Sequence, residues 1–311
     1  MIELSNGHRL EFVVASGALA FDGRGWPWEW PLRWLGLIDP HLFTIVIKTL
    51  LPEKYKGNLR WSRPWDVVKF ISEEGDVINP LLALARPHLI EGVVNAIGLT
   101  NSGFDNWFKR DHPIICRNGY KVIVSITEPY GKIEGCLEIV KKLNGLKNVV
   151  GVEYNASCPD IDLTLLENAE MVVENCYAIQ GVSGLPTLLK LSYVQPYLQI
   201  AKKVEGVVEA ISINSVPWKV VFGEKNSPLV KYGGGGVSGP VAKPFIWKMI
   251  SELARETSIP VIGAGIWEYE DISRLNTLGA AAYHFGTIFL PYPWRPTKYV
   301  KRWINERKES R

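Results

Sequence analysis

The feature that most constrains this chain is a recurrence of eight short β-branched runs, with helix-like segments between them. The runs lie near Phe12–Ser16, Thr44–Thr49, Lys121–Thr127, Val149–Ala156, Thr187–Ser192, Ala210–Asn214, Ile259–Gly263 and Ala281–Gly286. Most are apolar on both faces, as strands covered by helices must be. Apolar residues at three-to-four spacing predict helices over Glu134–Leu143, Thr164–Ile179, Pro244–Ala254, Asp271–Leu278 and Thr297–Glu309. Eight strands alternating with helices point to an α/β fold, a closed (β/α)8 TIM barrel more than an open doubly wound sheet.

The 311 residues suit one such domain spanning 1–311, since a barrel of this kind commonly needs ~250 residues before insertions. One insertion, 50–120, interrupts the rhythm between the second and third barrel strands. It is too long for a simple βα loop and is predicted to cover the C-terminal face.

A formal charge of +3 is slight for this length, and no basic stripe of the kind nucleic-acid binding requires is evident. Cys116, Cys136, Cys158 and Cys176 show neither CxxC spacing nor a matching His pattern, which argues against a metal or an iron–sulfur cluster bound by this chain. No run approaches the ~18 apolar residues of a membrane span, and the N-terminus lacks a signal-peptide pattern. The expected location is cytoplasmic.

In a barrel, chemistry gathers where the strands end. Those ends read Ala15-Ser16-Gly17, Lys48-Thr49, Ser125, Asn155, Lys190, Asn214-Ser215, Gly263-Ala264-Gly265 and Gly286-Thr287. Lys48 and Lys190 stand in apolar strands, where an ammonium is costly unless an anion or a dense acceptor network meets it. The alternative is an ion pair inside the barrel, with Glu153 the obvious partner. The glycine steps at Gly265 and Gly286 permit close approach of a phosphate to backbone N–H groups; the run Gly233–Gly239 is either a third such loop or a flexible lead into a helix. Cys158 follows a strand end, beside Asn155 and ahead of Pro159. That setting makes a thiol or thiolate base plausible there, whereas the other three cysteines read as small hydrophobes. The aromatic stretch Trp26–Trp34 follows the first strand and reads either as packing or as a lid or partner surface.

These motifs resemble the dihydroorotate dehydrogenase family of FMN enzymes. Val14-Ala15-Ser16-Gly17, Ile47-Lys48-Thr49, Gly57-Asn58, Asn95-Ala96-Ile97-Gly98-Leu99, Glu153-Tyr154-Asn155-Ala156-Ser157-Cys158-Pro159, Lys190-Leu191-Ser192, Ile213-Asn214-Ser215, Gly235-Gly236-Val237-Ser238-Gly239 and Phe285-Gly286-Thr287 occur in the family's order. The resemblance implies oxidation of dihydroorotate to orotate, in pyrimidine biosynthesis. Cys158 would act as general base while hydride passes to flavin N5, and Cys at this position resembles the soluble class. Lys48, Asn95, Asn155, Asn214, Ser215 and the backbone of Ile97, Gly98 and Leu99 would hold the substrate. Ala15, Ser16, Lys48, Thr49, Ser125, Asn155 and Lys190 would line the FMN ring, with Gly239, Gly265, Gly286 and Thr287 around its phosphate. A homodimer is implied, and fumarate, a quinone, or NAD through a separate iron–sulfur/FAD subunit are the acceptors known for relatives.

The chain also departs from the family. Asp160 stands where Asn is usual, the loop after it is short, and Tyr193 replaces a common proline. A carboxylate at 160 cannot donate an amide hydrogen bond. Two alternatives stay open on that ground: an FMN oxidoreductase for another dihydropyrimidine or related ring, and a flavin subunit serving mainly electron transfer in a complex.

Overall fold

The computed structural model describes residues 1–60, 62–128, 132–157 and 165–309, without the side chains of Leu84, Leu165 and Leu166. Eight strands form one parallel sheet: β1 (Phe12–Val14), β2 (Thr44–Val46), β3 (Lys121–Ile126), β4 (Val149–Asn155), β5 (Thr187–Leu191), β6 (Ala210–Ile213), β7 (Ile262–Gly263) and β8 (Ala282–Phe285). Each pairs with its neighbours in chain order, and β8 pairs with β1. The remaining seam is closed by a parallel bridge between Ile211 and Val261, with Ile211 N–H donating to the Pro260 carbonyl at 2.9 Å. The sheet is therefore a closed (β/α)8 barrel. The β7 run is shorter than its sequence predicts because Pro260 has no N–H to give to the ladder.

Helices follow the later strands: Glu134–Leu143, Leu165–Val182, Tyr197–Lys203, Lys243–Glu256, Glu270–Thr277 and Arg295–Glu309. Their apolar stripes pack on the outward side chains of the strands; Ile139, Val140 and Leu143 of the first meet the main core with Val122, Val124 and Val152. Two short helices, Phe104–Arg110 and His112–Asn118, precede β3, so the end of the 50–120 stretch supplies the barrel's own helix layer. The second stops where Gly119 takes φ +72°, the left-handed conformation that glycine reaches without steric cost.

Side chains inside the barrel sort by height. Because side chains alternate across a strand, Val13, Val46, Ile123, Leu188, Ala210, Ile262 and Ala282 fall together in an apolar layer, separate from the outer core. An N-terminal hairpin, Ile2–Glu3 paired with Arg9–Leu10, adds Ile2, Leu4 and Leu10 to that layer from below. Two residues further along several of these strands stand Lys48, Ser125, Lys190, Ser212 and His284, all buried. The barrel thus carries a polar storey on an apolar floor.

The remainder of the insertion forms part of a second, antiparallel sheet. Strand Val68–Ile71 pairs with Gly92–Asn95, which pairs with Gly236–Ser238, which pairs with Val216–Pro217. The glycine run 233–239 is thus partly a strand, not simply a loop ahead of the following helix. No helix among the described residues is long and apolar enough to cross a membrane.

Candidate active site

The polar storey is organised by one buried ion pair. Lys190 Nζ lies 3.1 Å from Glu153 Oε1, and Ser212 Oγ donates to Glu153 Oε2 at 2.6 Å. Burial alone would raise the Glu153 pKa, but the Lys190 ammonium and the Ser212 hydroxyl outweigh it and hold the carboxyl below its ordinary range. His284 stands in the same field. Burial drives its pKa down to about 4 against the opposing pull of Glu153, and its Nε2 has no hydrogen-bond partner among the described residues.

Lys48 differs from Lys190. It is 9% exposed, and no carboxylate pairs with it among the described residues. Burial, then repulsion from Lys190, lowers its pKa to about 8. Among the described residues, two buried lysines thus stand with one carboxylate, and that carboxylate is bonded to Lys190. The ion pair anticipated as the alternative for both lysines forms for Lys190 only. A buried ammonium with no carboxylate partner among the described residues can be met by the charge of an anionic ligand.

Above this charge runs a chain of hydrogen bonds across the strand ends. Asn214 Nδ2 donates to Ser157 Oγ at 2.8 Å, and Ser157 Oγ donates to Asn155 Oδ1 at 2.6 Å. Asn155 Nδ2 donates to Thr49 Oγ1 at 3.1 Å, and Thr49 Oγ1 lies 3.0 Å from Ser125 Oγ and 3.2 Å from Ser16 Oγ. Ser16 Oγ in turn donates to the Ile47 carbonyl at 2.9 Å. One proton assignment satisfies every contact: Ser125 and Asn155 donate to Thr49, and Thr49 donates to Ser16, whose own proton is engaged at Ile47. The relay fixes both amides. It engages the carbonyl and one N–H of Asn155 and one N–H of Asn214.

The loop 96–101 carries the predicted substrate backbone. Gly98 has φ +65° and Leu99 φ +56°. A Cβ on Gly98 would lie 2.6 Å from Asn58 Nδ2, and that amide donates to the Ala96 carbonyl at 3.0 Å. Asn95 Nδ2 reaches the Gly236 carbonyl at 3.5 Å, and a Cβ at Gly236 would collide with Ser215 Oγ at 2.2 Å. Asn95 and Ser215 thus meet the same strand, Gly236–Ser238.

On the other side, the glycines of three loops form a tight cradle. Gly239 has φ +101° and would place a Cβ 2.9 Å from Gly92 Cα; Gly265 has φ +92° and would place one 3.0 Å from Trp247 Nε1. A Cβ on Gly286 would meet Ala15 Cβ at 3.0 Å. Thr287 Oγ1 donates to Ser238 Oγ at 2.5 Å, joining the loops after β6 and β8. The loop after β7 is held by Asp271 Oδ2, which accepts from Trp267 N, Glu268 N and Lys243 Nζ. A side chain at any of these glycines would press on the protein's own neighbouring atoms, so the three loops can pack this closely only without one.

Cys158 and Asp160 lie outside the described residues. Cys136 and Cys176 are buried with thiols pushed far up by desolvation, which suits the small-hydrophobe reading. The aromatic stretch divides. Trp26 is buried, with Nε1 donating to the Gly17 carbonyl at 3.1 Å; Trp28 and Trp34 are 52% and 71% exposed. Ser157, Ser212 and His284 belong to the site without having been singled out from the sequence. Their signal was position, each standing two residues from a candidate or from an apolar floor residue on the same strand. A cavity of about 330 Å3 lined by Ile2, Val208, Glu209, Pro260 and Ala281 opens at the opposite, N-terminal end of the barrel. None of the relay residues lines it, and convergence of polar groups locates the site better than cavity size.

Comparison with known proteins shows the family and the fold. The family model for dihydroorotate dehydrogenase matches residues 83–306. The catalytic subunit of dihydroorotate dehydrogenase B (NAD(+)) from Caldicellulosiruptor saccharolyticus is 29% identical over 248 residues, 75% of this chain and 81% of that protein. The corresponding subunit from Alkaliphilus metalliredigens is 33% identical over 229 residues, covering 71% and 74%. The crystal structure of ligand-free type DHODH from Eimeria tenella superposes with a TM-score of 0.64 at 16% identity, over 93% of this chain and 82% of that one, which bears on the fold alone. With the barrel, the matched span and these relatives in agreement, the chain belongs to the dihydroorotate dehydrogenase family, oxidoreductases acting on CH–CH bonds.

Proposed function

We propose that this chain oxidises dihydroorotate to orotate with FMN as its cofactor. The observation that carries the reading is the pairing of a buried cation, Lys48, which has no carboxylate partner among the described residues, with two amides tied into the relay. Dihydroorotate is a flat-edged hydrogen-bonding ring bearing a carboxylate, and it matches both features. FMN, when bound, supplies the hydride acceptor. Close-packed glycine loops are the kind of backbone that approaches a phosphate, and the small or hydroxylated side chains of Ala15, Ser16, Thr49 and Ser125 suit the edge of its ring.

In this reading Lys48 meets the substrate carboxylate, and Asn95, Asn155, Asn214 and Ser215 orient the ring, with the backbone of Ile97, Gly98 and Leu99. Lys190, steadied by Glu153, sits by the cofactor. Gly239, Gly265, Gly286 and Thr287 hold the phosphate. Cys158 removes the proton from the ring carbon next to the one that loses hydride. Residues 1–311 act as one domain, with the insertion roofing the C-terminal face. The relatives named as catalytic subunits of an NAD(+) enzyme support an iron–sulfur/FAD partner subunit as the route for electrons.

Anaerobic addition of dihydroorotate to the yellow protein tests the proposal: the flavin band bleaches, and Cys158→Ala slows that bleaching by ~10²–10⁴ with flavin retained. Bleaching only by other reduced pyrimidines would change the substrate, and none by any ring would leave an electron-transfer subunit.

A further inference from the structure

The insertion carries a feature that the pocket chemistry does not use. Residues 54–65 hold Lys54, Lys56, Arg60 and Arg63 and no carboxylate, a surplus of four positive charges in a chain whose net charge is +3. Glu53 and Asp66 flank the strip without entering it. All four cations are exposed, and none forms an ion pair among the described residues.

The strip is fastened to the substrate loop. Tyr55 and Asn101 exchange backbone bonds of 3.1 and 3.0 Å, Asn58 N–H donates to the Ile97 carbonyl at 3.0 Å, and Leu59 N–H donates to Thr100 Oγ1 at 3.1 Å. The approach is close enough that a Cβ on Gly57 would fall 2.3 Å from the Gly98 carbonyl oxygen. The segment that carries the four exposed cations, none of them in an ion pair among the described residues, is therefore bonded directly to the loop 97–101.

We propose that Lys54, Lys56, Arg60 and Arg63 form an electrostatic entrance that captures anionic ring carboxylates and delivers them to the pocket. The inference rests on the dihydroorotate reading above. Exposed like charges at the mouth of a cleft raise the local concentration of an oppositely charged ligand and its association rate, while contributing little to the bound state. The signature is kinetic. Association responds to these charges and to salt, because the Debye length shrinks from about 30 Å at 0.01 M to about 8 Å at 0.15 M ionic strength, and dissociation does not.

The experiment is stopped-flow binding of orotate to the flavin-loaded protein, followed by the flavin spectrum, at ionic strengths of about 0.01 to 0.3 M. Wild type and a variant combining Lys54→Gln, Lys56→Gln, Arg60→Gln and Arg63→Gln are compared. The expected result is an association rate about 10-fold lower in the variant at low salt, a nearly flat salt dependence, and a dissociation rate within about two-fold of wild type. A charge-keeping variant, with Lys54→Arg, Lys56→Arg, Arg60→Lys and Arg63→Lys, keeps the fast, salt-sensitive association. Equal association rates in wild type and the neutralised variant, or a loss confined to dissociation, would overturn the entrance and leave the substrate assignment standing. Failure of wild type to bind orotate at all would overturn both.

Discussion

Replacing Lys48 by Met separates what this lysine costs the fold from what it does for the ligand. The folded lysine gives up its proton near 8 instead of near 10.5, a difference worth roughly 3 kcal/mol against the charged form at neutral pH. The unfolded chain therefore binds more protons than the native one between those values, and native stability rises as pH climbs from 8 towards 10.5. Met keeps the length of the alkyl stem that packs beside Gly17 and removes the charge. In flavin-free protein at pH 7, Lys48→Met should raise stability by up to about 3 kcal/mol, a Tm increase of up to about 5 °C for a chain of this length. It should also abolish the alkaline rise and the binding of orotate. Thermal melts from pH 7 to pH 10.5, with and without orotate, provide the measurement. A Tm that falls, or a variant that keeps the alkaline rise, would show that the ammonium already has its counter-charge and that the argument for an anionic ligand is wrong.

Glu153→Gln strands Lys190 in the barrel, and should cost about 3–5 kcal/mol by urea denaturation; adding Lys190→Met should restore much of it, and a loss that simply adds would deny the coupling. His284 is buried neutral with its pKa lowered to about 4 from 6.5, so the unfolded chain binds more protons in that window and stability drops as pH falls through it. His284→Gln should flatten the urea midpoint between pH 6.5 and 4; an unchanged acid limb would place the titration elsewhere.

The strand count and order were readable because each run is β-branched, short and bounded by helical period; Glu134–Leu143 was predicted with the ends it has. What local pattern could not show was which face of each strand looks inward. Runs such as Thr187–Leu191 look uniformly apolar apart from one lysine. Glu153 could be named as a partner for Lys190 from the sequence, but only after closure do Ser212 and His284 prove to join them from two further strands. The antiparallel sheet was illegible for a related reason, since Gly92–Asn95 pairs with Gly236–Ser238 more than 140 residues away, and nothing near Gly236 marks it as a strand. Whole-chain charge hid the basic strip by averaging it with acidic residues elsewhere. The residue assigned the base, Cys158, rests on family resemblance, because it lies outside the described residues.

The hairpin that lies against the floor of the barrel has a bearing on proton traffic. Ile2, Leu4 and Leu10 lay hydrocarbon beneath the polar storey, between it and the N-terminal end of the barrel. A proton exchanged by Lys48 or His284 with bulk water has this apolar layer below it and the proposed seat of the ligand above. Occupancy of that seat should therefore act as a stopper, holding the interior in whatever protonation state it had when the ligand arrived.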